Sequence, residues 1–329
     1  MQKNKYIEIV TSPIGGLNLM PQKILLNLHE KLSKHYKKVK ITIIKNRKDL
    51  DKLLEKKPDL VVSGLKYLLF DEDSKKRDSE KKLWFTDILE KHDILYTGSS
   101  KNALKLEFDK SIAKEKIRGA GLKTASSFVA KPNQYDKESL PLPFPLFVKP
   151  LYEGDSRGID EHSLVHKFKE YENKVKSIYK EQHTVSLVET YLSGKEYTVA
   201  IIEDFKNSTY DIYPIELIAE KNSKGDRVLG FFDKQRDREK SLKIKDKEIK
   251  ELISSLAINA FKVLKAKGYG RIDIKMNDEG IPYFIEANLV PGLGYGYFYR
   301  CYHLNTGLEH EQMVLDIVKS TFSKKTIKK

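Results

Sequence analysis

The sequence predicts a mixed α/β fold, with a parallel sheet at the amino-terminal end and antiparallel strand pairs toward the carboxyl terminus. Three observations predict it. Strand patterns at 6–10, 39–44 and 60–64 alternate with an apolar helical pattern at 24–32, and strand–helix alternation builds parallel sheets. Two apolar runs, 196–202 and 210–218, flank a turn at Glu203-Asp204. A second pair, 271–276 and 283–288, flanks Asn277-Asp278-Glu279-Gly280, which has the chemistry of a hairpin turn.

Taken in order, the strand at 6–10 leads into Gly15-Gly16, a tight loop before the first helix. Residues 71–82 interleave acids with lysines and read as an exposed loop, 83–91 as a helix, and 94–96 as a strand before a domain boundary at 98–100. One helix is expected over 102–119, ended by Gly119 and Gly121, and extended chain over 124–130. Pro141, Pro143 and Pro145 forbid helix and form a rigid lead-in to a strand at 147–150. A loop at 151–158, a helix at 163–179 and a strand at 185–189 follow. Residues 221–241 read as a polar loop, 247–266 as a helix feeding the hairpin, and 308–321 as a closing amphipathic helix.

With 329 residues, 40% of them hydrophobic, the chain can build two or three packed units. No run is apolar enough to span a membrane, and the start leads into a strand rather than a signal peptide. The single Cys301 excludes an internal disulfide and fits a reducing cytoplasm. The net charge of +14 is spread along the chain among acids, which favours solvation and anionic small molecules over nucleic acid.

The hairpin carries chemistry. A register symmetric about its turn sets Asp273 opposite Glu286 and Arg271 opposite Asn288, all on one face. Two carboxylates about 5 Å apart destabilise a strand pair unless a cation neutralises them. Oxygen donors alone favour Mg²⁺ over Zn²⁺, and Mg²⁺ held by one or two carboxylates usually shares its shell with phosphates. Upstream, Lys149 ends an apolar strand before Gly154-Asp155-Ser156-Arg157-Gly158, a loop whose amides can cradle phosphate or form an ordinary surface turn. The segment 189–196 is bracketed by Glu189 and Glu196, which suit nucleotide hydroxyls or amines, and reads otherwise as a linker. His162 and His166, four apart on the expected helix, lack a third ligand and read as structural. Tyr295, Tyr297, Phe298, Tyr299 and Tyr302 either line an acceptor pocket or fill core.

Several fragments, in order and spacing, resemble the ATP-grasp superfamily and within it the D-alanine–D-alanine ligase family. They are Tyr96-Thr-Gly-Ser99, Phe108-Asp-Lys110, Arg118-Gly-Ala-Gly-Leu122, Phe147-Val-Lys-Pro150 with Glu153-Gly-Asp-Ser-Arg-Gly158, Val188-Glu-Thr-Tyr-Leu-Ser-Gly-Lys-Glu196, Gly270-Arg-Ile-Asp273 and Ile285-Glu-Ala-Asn-Leu-Val-Pro-Gly292. The resemblance implies three domains, 1–100 for substrate, 101–190 and 191–329 for the nucleotide, with ATP between two antiparallel sheets. It implies that Lys110 and Lys149 contact phosphates, that Glu153 and Ser156 lie in the loop closing over them, and that Glu189, Tyr191 and Leu192 form the adenine hinge. Glu196 would hold the ribose, and Asp273, Glu286 and Asn288 two Mg²⁺, with Mn²⁺ an admissible substitute. Arg271 matches the arginine that steadies an oxyanion, and one of Lys234, Arg236 and Arg238 would cover the phosphates as part of a lid.

The departures from the family bear on substrate. The first strand's glycine loop has no carboxylate for an ammonium, Asp155 stands at the family's loop serine, Arg238 at its lid tyrosine, and Tyr297-Phe298 at the Ser-Leu pair after Pro291-Gly292. With Asp155, Gly292 and Tyr297 at substrate-contacting positions, the expectation is an ATP-dependent carboxylate–amine ligase with an altered amino-acid or peptide substrate, no nucleic-acid or membrane partner, and a homodimer left open. D-alanine–D-alanine ligase proper and a non-catalytic nucleotide-binding adaptor are the alternatives.

Overall fold

The computed structural model describes residues 3–16, 20–70, 81–152, 157–220 and 239–327. Strand β1 (Tyr6–Thr11) lies between β3 (Lys38–Ile43) and β4 (Leu60–Ser63), parallel to both. Two-residue strands β2 (Gly15–Gly16), β5 (Tyr67–Leu68) and β6 (Leu83–Trp84) make a small antiparallel sheet beside it. Helices α1 (Gln22–Ser33), α2 (Arg47–Glu55) and α3 (Phe85–Lys91) complete this part. Thus 83–91 opens as a strand before turning helical, and the strand expected at 94–96 is reduced to one parallel bridge between Val61 and Tyr96.

The expected single helix at 102–119 is two, α4 (Lys101–Phe108) and α5 (Lys110–Gly119). Asp109 separates them: its extended backbone ends one helix while its carboxylate accepts from the amides of Ser111 and Ile112, capping the next. Then β7 (Ser127–Ala130), β8 (Leu146–Pro150), β9 (Leu164–Val165) and β10 (Ser186–Thr190) form an antiparallel sheet in the order β7-β10-β8-β9, backed by α6 (Phe168–Gln182). The helix begins later than the expected 163, because Leu164 and Val165 pair with β8. His162 and His166 flank that short strand, so they do not share a helical face.

Strands β11 (Glu196–Asp204), β12 (Thr209–Ile218), β13 (Lys240–Lys243), β14 (Tyr269–Met276) and β15 (Pro282–Asn288) give a five-stranded antiparallel sheet ordered β13-β12-β11-β14-β15. Helix α7 (Lys247–Val263) covers one face with α4 and α5, burying Ile253, Phe261, Ile272, Ile274 and Phe284 together. Helices α8 (Tyr297–Thr306) and α9 (His310–Ile327) cover part of the other, in one core with Leu28 of α1 and Ile9 of β1. The sequence reading missed α8, whose aromatic run follows closely spaced glycines and a proline and lacks a helical apolar stripe. No helix among the described residues is long and apolar enough to cross a membrane.

Candidate active site

The hairpin pairs Asp273 with Glu286 and Arg271 with Asn288, the two pairs expected from the sequence. Nearer the turn the register slips by one, because Ile274 pairs with Phe284 and Ile285 is an extra residue. That bulge is what lets both faces work. Phe284 points into the α7 core at 0% exposure, while Glu286 two residues on still shares a face with Asp273. On the adjoining strand Thr198 lies opposite Asp273, and Glu196 opposite Lys275.

On this face Arg271 holds Asp273 through two parallel bonds, Nε to Oδ1 at 2.9 Å and Nη2 to Oδ2 at 2.9 Å. The Thr198 hydroxyl adds a third to Oδ1 at 2.6 Å. Burial works against the Arg271 charge, but the Asp273 carboxylate outweighs it and holds the guanidinium pKa above its ordinary value. Glu196 accepts from Lys275 at 3.1 Å, and that ammonium lies 5.7 Å from the Tyr191 ring centroid. Leu192 beside it is buried. The segment joining β10 to β11 is pinned to the hairpin by Gly194, whose amide donates to Met276 O; a Cβ there would come within 2.3 Å of Asn277 O.

Across from this face lie Lys149 of β8 and Glu189 of β10. Lys149 Nζ reaches Glu189 Oε2 at 2.7 Å, and Lys114 of α5 pairs with the other oxygen. Lys114 also donates to Thr124 Oγ1 at 2.7 Å, which passes a bond to Phe284 O at 2.8 Å, tying the two antiparallel sheets together. For Glu189, burial raises the pKa, but the two lysines overcome it and hold the carboxyl down at about 2. Burial lowers the Lys114 pKa despite Glu189, whereas Lys149, opposed by the same burial, is held above its ordinary value by Glu189 and then Glu286. Lys110 Nζ donates to Leu151 O at 3.3 Å; burial, only partly offset by Glu286, takes its pKa down to about 8.

Lys66 and Glu107 extend this charged floor, paired at 2.7 Å with Leu289 N donating to the same carboxylate oxygen. Lys66, Lys110, Lys114 and Lys149 are all at most 9% exposed, and the floor sets two comparably buried acids, Glu107 and Glu189, against them. Sequence reasoning missed Lys66, Lys114, Glu107 and Thr198. For Lys114 a signal existed, since it follows Lys110 by four residues and so lies on the same face of a helix.

Whether the hairpin face suits a cation can be judged from its donors. Asn288 Oδ1 is buried and accepts no hydrogen bond from the described residues, which leaves an amide oxygen beside Glu286 and Asp273. Two carboxylates and an amide fit a hard cation that takes the rest of its shell from a phosphate-bearing ligand. Among the described residues no three His, Cys, Asp or Glu side chains form a self-sufficient metal cluster. Cys301, buried at 0% with its pKa pushed up to about 12 by that burial, has no character of a nucleophile or soft ligand. Glu153, Asp155, Ser156, Lys234, Arg236 and Arg238 lie outside the described residues.

Beyond Arg271 and Asn288, a cavity of about 400 Å³ opens between the hairpin and α8, lined also by Glu239, Gly292, Tyr297 and Arg300. The Tyr297 ring sits between two guanidinium groups, 5.3 Å from that of Arg271 and 5.5 Å from that of Arg300. Of the aromatic run, Phe298 and Tyr302 are core, and Tyr295 and Tyr297 face this cavity.

The family model described as "D-ala D-ala ligase C-terminus" matches residues 120–319. D-alanine--D-alanine ligase B of Clostridium perfringens (strain 13 / Type A) is 26% identical over 323 residues, 95% of this chain and 97% of that one. The D-alanine--D-alanine ligase of Ruthia magnifica subsp. Calyptogena magnifica is 31% identical over 212 residues, 62% of this chain and 66% of its own. Among solved structures, the D-alanine--D-alanine ligase from Bacillus anthracis complexed with ATP superposes with a TM-score of 0.72 at 19% identity, covering 99% of this chain and 100% of that one. The VanG D-Ala:D-Ser ligase from Enterococcus faecalis gives 0.67 at 18% identity, covering 97% and 99%; at these identities the likeness shows a shared fold. Because the family model spans more than half of the chain, from just after α5 into α9, and takes in the lysine floor's Lys149 and the whole hairpin face, the chain belongs to the D-alanine–D-alanine ligase family of ATP-grasp enzymes.

Proposed function

We propose that the protein joins a carboxylate to an amine at the expense of ATP, through an acylphosphate, with an amino-acid or small-peptide substrate that differs from D-alanine on at least the acceptor side. One observation carries the reading. Four buried lysines with two buried acids face an oxygen-donor surface built from Asp273, Glu286 and Asn288. Ammonium groups clustered out of water repel one another, as Lys149 and Lys66 do Lys110, and a nucleotide's phosphates bound with a divalent cation would relieve that repulsion. The division into 1–100, 101–190 and 191–329 belongs to the proposal, supported by each sheet drawing its strands from one of those stretches.

In this reading Lys110 and Lys149 hold the phosphates and offset charge as a substrate carboxylate oxygen attacks the γ-phosphorus and ADP leaves. Asp273, Glu286 and Asn288 would hold the cation, Mg²⁺ with Mn²⁺ as substitute, which when bound draws charge from the phosphate oxygens. The amine then attacks the acylphosphate carbon. Arg271, its plane fixed by both bonds to Asp273, steadies the developing oxyanion as phosphate departs. Tyr191, Leu192 and Glu196 take the base and ribose side; Glu153 and Ser156, with a cation among Lys234, Arg236 and Arg238, are assigned to closure over the phosphates. Glu189 serves first as the counter-ion of Lys114 and Lys149.

Scoring ADP release with a panel of amino acids and small peptides, with product mass as the readout, tests the proposal; no ADP release with any carboxylate and amine overturns it. A second reading, D-alanine–D-alanine ligase proper, is favoured by the names of the curated relatives. D-alanine alone driving ADP release and yielding dialanine would select it. Against it stands the cavity wall, where Tyr297 and Arg300 occupy the acceptor side.

Lys110 makes the phosphate assignment testable by pH. Its pKa of about 8 belongs to the protein without nucleotide; a polyphosphate beside it favours the ammonium and raises that value. Above about pH 8, ATP binding is therefore expected to take up protons, and affinity to fall as pH rises through that range. Calorimetry in buffers of different ionisation enthalpy measures this; binding with no proton uptake would remove Lys110 from the phosphate site.

The bulge gives a second check. Inserting an alanine between Ile285 and Glu286 while keeping the turn and the single bulge turns Glu286 and Asn288 off the site face. ATP binding with a divalent cation should disappear, whereas Ile285→Ala, which keeps the residue count, should retain it. Equal nucleotide titrations for the two variants would contradict the role given to the register.

A further inference from the structure

The cavity beside Arg271 is closed on one side by the amino-terminal part of the chain, where Pro21 and Ile24 face the glycine-rich loop 291–296. Ile24, Leu28 and Lys31 fall at i, i+4 and i+7 of α1, on one face of the helix. Ile24 packs so near the loop that a Cβ on Gly294 would come within 2.6 Å of its Cδ1, and Leu28 shares a core with Leu293. Lys31, the third member of the stripe, meets His310, which opens α9, lies outside the cavity and is 1% exposed.

His310 joins the helix to the loop. Lys31 Nζ lies 2.9 Å from its Nδ1, and Leu293 O lies 2.8 Å from its Nε2. An ammonium has hydrogens to give and no lone pair, so Nδ1 accepts, the ring is neutral, and its one hydrogen sits on Nε2 and is donated to Leu293 O. Lys31 also donates to the Tyr295 hydroxyl at 3.0 Å, and the Tyr295 ring stacks on the imidazole with centroids 4.5 Å apart. Burial lowers the His310 pKa, the bond to Leu293 O opposes that, and the Lys31 charge reinforces it. The other charges nearby have their own partners. On α1, Lys34 and His35 reach Glu311 at 3.0 and 2.8 Å. On α8, the Tyr299 ring lies 5.5 Å from that of His310, its hydroxyl donates to Glu309 at 3.0 Å, and His303 stacks on it at 5.4 Å. Among the described residues no carboxylate pairs with His310, so an imidazolium there would stand directly against Lys31.

We propose that His310 is a positioning residue for the acceptor: as a neutral relay between Lys31 and Leu293 O it fixes the glycine-rich loop against α1, and its protonation releases that wall of the cavity. This rests on the ligase reading above, with the cavity as its acceptor side. Protonation puts a hydrogen on Nδ1 where Lys31 donates, so the ammonium withdraws and the Tyr295 hydroxyl loses its donor with it. The folded-state pKa lies below the ordinary imidazole value, so the grip is whole above that value and is lost as pH falls through the folded one.

The test uses the full-length protein and two variants. His310→Phe keeps a ring against Tyr295 and removes both hydrogen bonds; His310→Gln has an amide that can donate to Leu293 O and accept from Lys31 without titrating. Hydrogen exchange of peptides covering 291–296, corrected for its intrinsic pH dependence, is followed between about pH 5 and pH 8. Wild type is expected to exchange about tenfold faster at the acid end, the Phe variant fast throughout and the Gln variant slowly throughout. With glycine, L-alanine, D-alanine and glycylglycine offered as amines and ADP release as the readout, His310→Phe should raise the amine KM about tenfold at neutral pH, with kcat and ATP affinity within about twofold of wild type. His310→Gln should restore that KM and abolish its rise in acid. Because His35 and His303 stand close by, an acid rise that survives in the Gln variant overturns the assignment. So does a Phe variant with wild-type exchange and KM, and so does one in which kcat, KM and ATP affinity all fail together, the mark of a merely structural residue. If no amine drives ADP release, the ligase reading falls, and the exchange profiles still decide whether His310 holds the loop.

Discussion

Replacing Arg271 with Ala is expected to lower kcat by about 10²–10³, the usual loss when a donor to a developing oxyanion is removed. The readout that separates this from damage to the cation site is the divalent titration. Arg271 holds both oxygens of Asp273, so its loss leaves that carboxylate more available to a cation, and the concentration of Mg²⁺ needed for half-maximal ATP binding should not rise. Glu286→Gln should do the reverse, raising that concentration while the guanidinium stays in place. Arg271→Lys is expected to behave like the Ala variant in kcat, because an ammonium cannot reproduce a planar fork fixed by two parallel bonds. An Arg271→Ala enzyme that turns over within about threefold of wild type, far short of the loss of an oxyanion donor, would take Arg271 out of the chemistry.

The hairpin shows how far a sequence can be read and where reading stops. Alternating polarity and a turn of Asn, Asp and Gly are local signals, and they set Asp273 against Glu286 because an error of one residue would bury charge. The bulge at Ile285 has no local signal, since Phe284-Ile285 reads as continuous alternation gone slightly wrong. Only the demand of the α7 core for Phe284, made by residues such as Phe261 far away in sequence, decides which of the two turns inward. The break at Asp109 was legible in principle, as an Asp followed by Lys-Ser at a helix start is a cap, yet apolar periodicity runs across it without interruption. The charged floor was half legible. Lys110 and Lys149 sit in fragments that resemble the family and Lys114 follows Lys110 by about one helical turn, whereas Lys66 and Glu107 have meaning only once α4 and the loop after β4 converge.

Glu189 is where stability and nucleotide binding meet, and Glu189→Gln is expected to destabilise the protein by about 3–5 kcal/mol, because it leaves two buried ammonium groups without their shared charge. Thr124→Val is the control. It removes the acceptor from Lys114 and the donor to Phe284 O but keeps every charge paired, so its cost should stay near the roughly 1–3 kcal/mol of an unmade buried hydrogen bond. The folded-state pKa of Glu189 is depressed, to about 2. The stability it contributes is therefore present above the unfolded carboxylate value and is lost as pH falls through about 2, so at neutral pH the glutamine variant feels the whole deficit. ATP changes the balance in a way that a purely structural ion pair would not show. If Lys149 meets the phosphates, the nucleotide supplies negative charge to the ammonium that an uncharged glutamine no longer neutralises. Saturating ATP with a divalent cation should then narrow the gap in denaturant midpoint between variant and wild type, and inorganic triphosphate should narrow it as well. A gap unaltered by either ligand would make the Lys114–Glu189–Lys149 triad a structural brace remote from the phosphates, and the nucleotide would have to be placed elsewhere on the lysine floor.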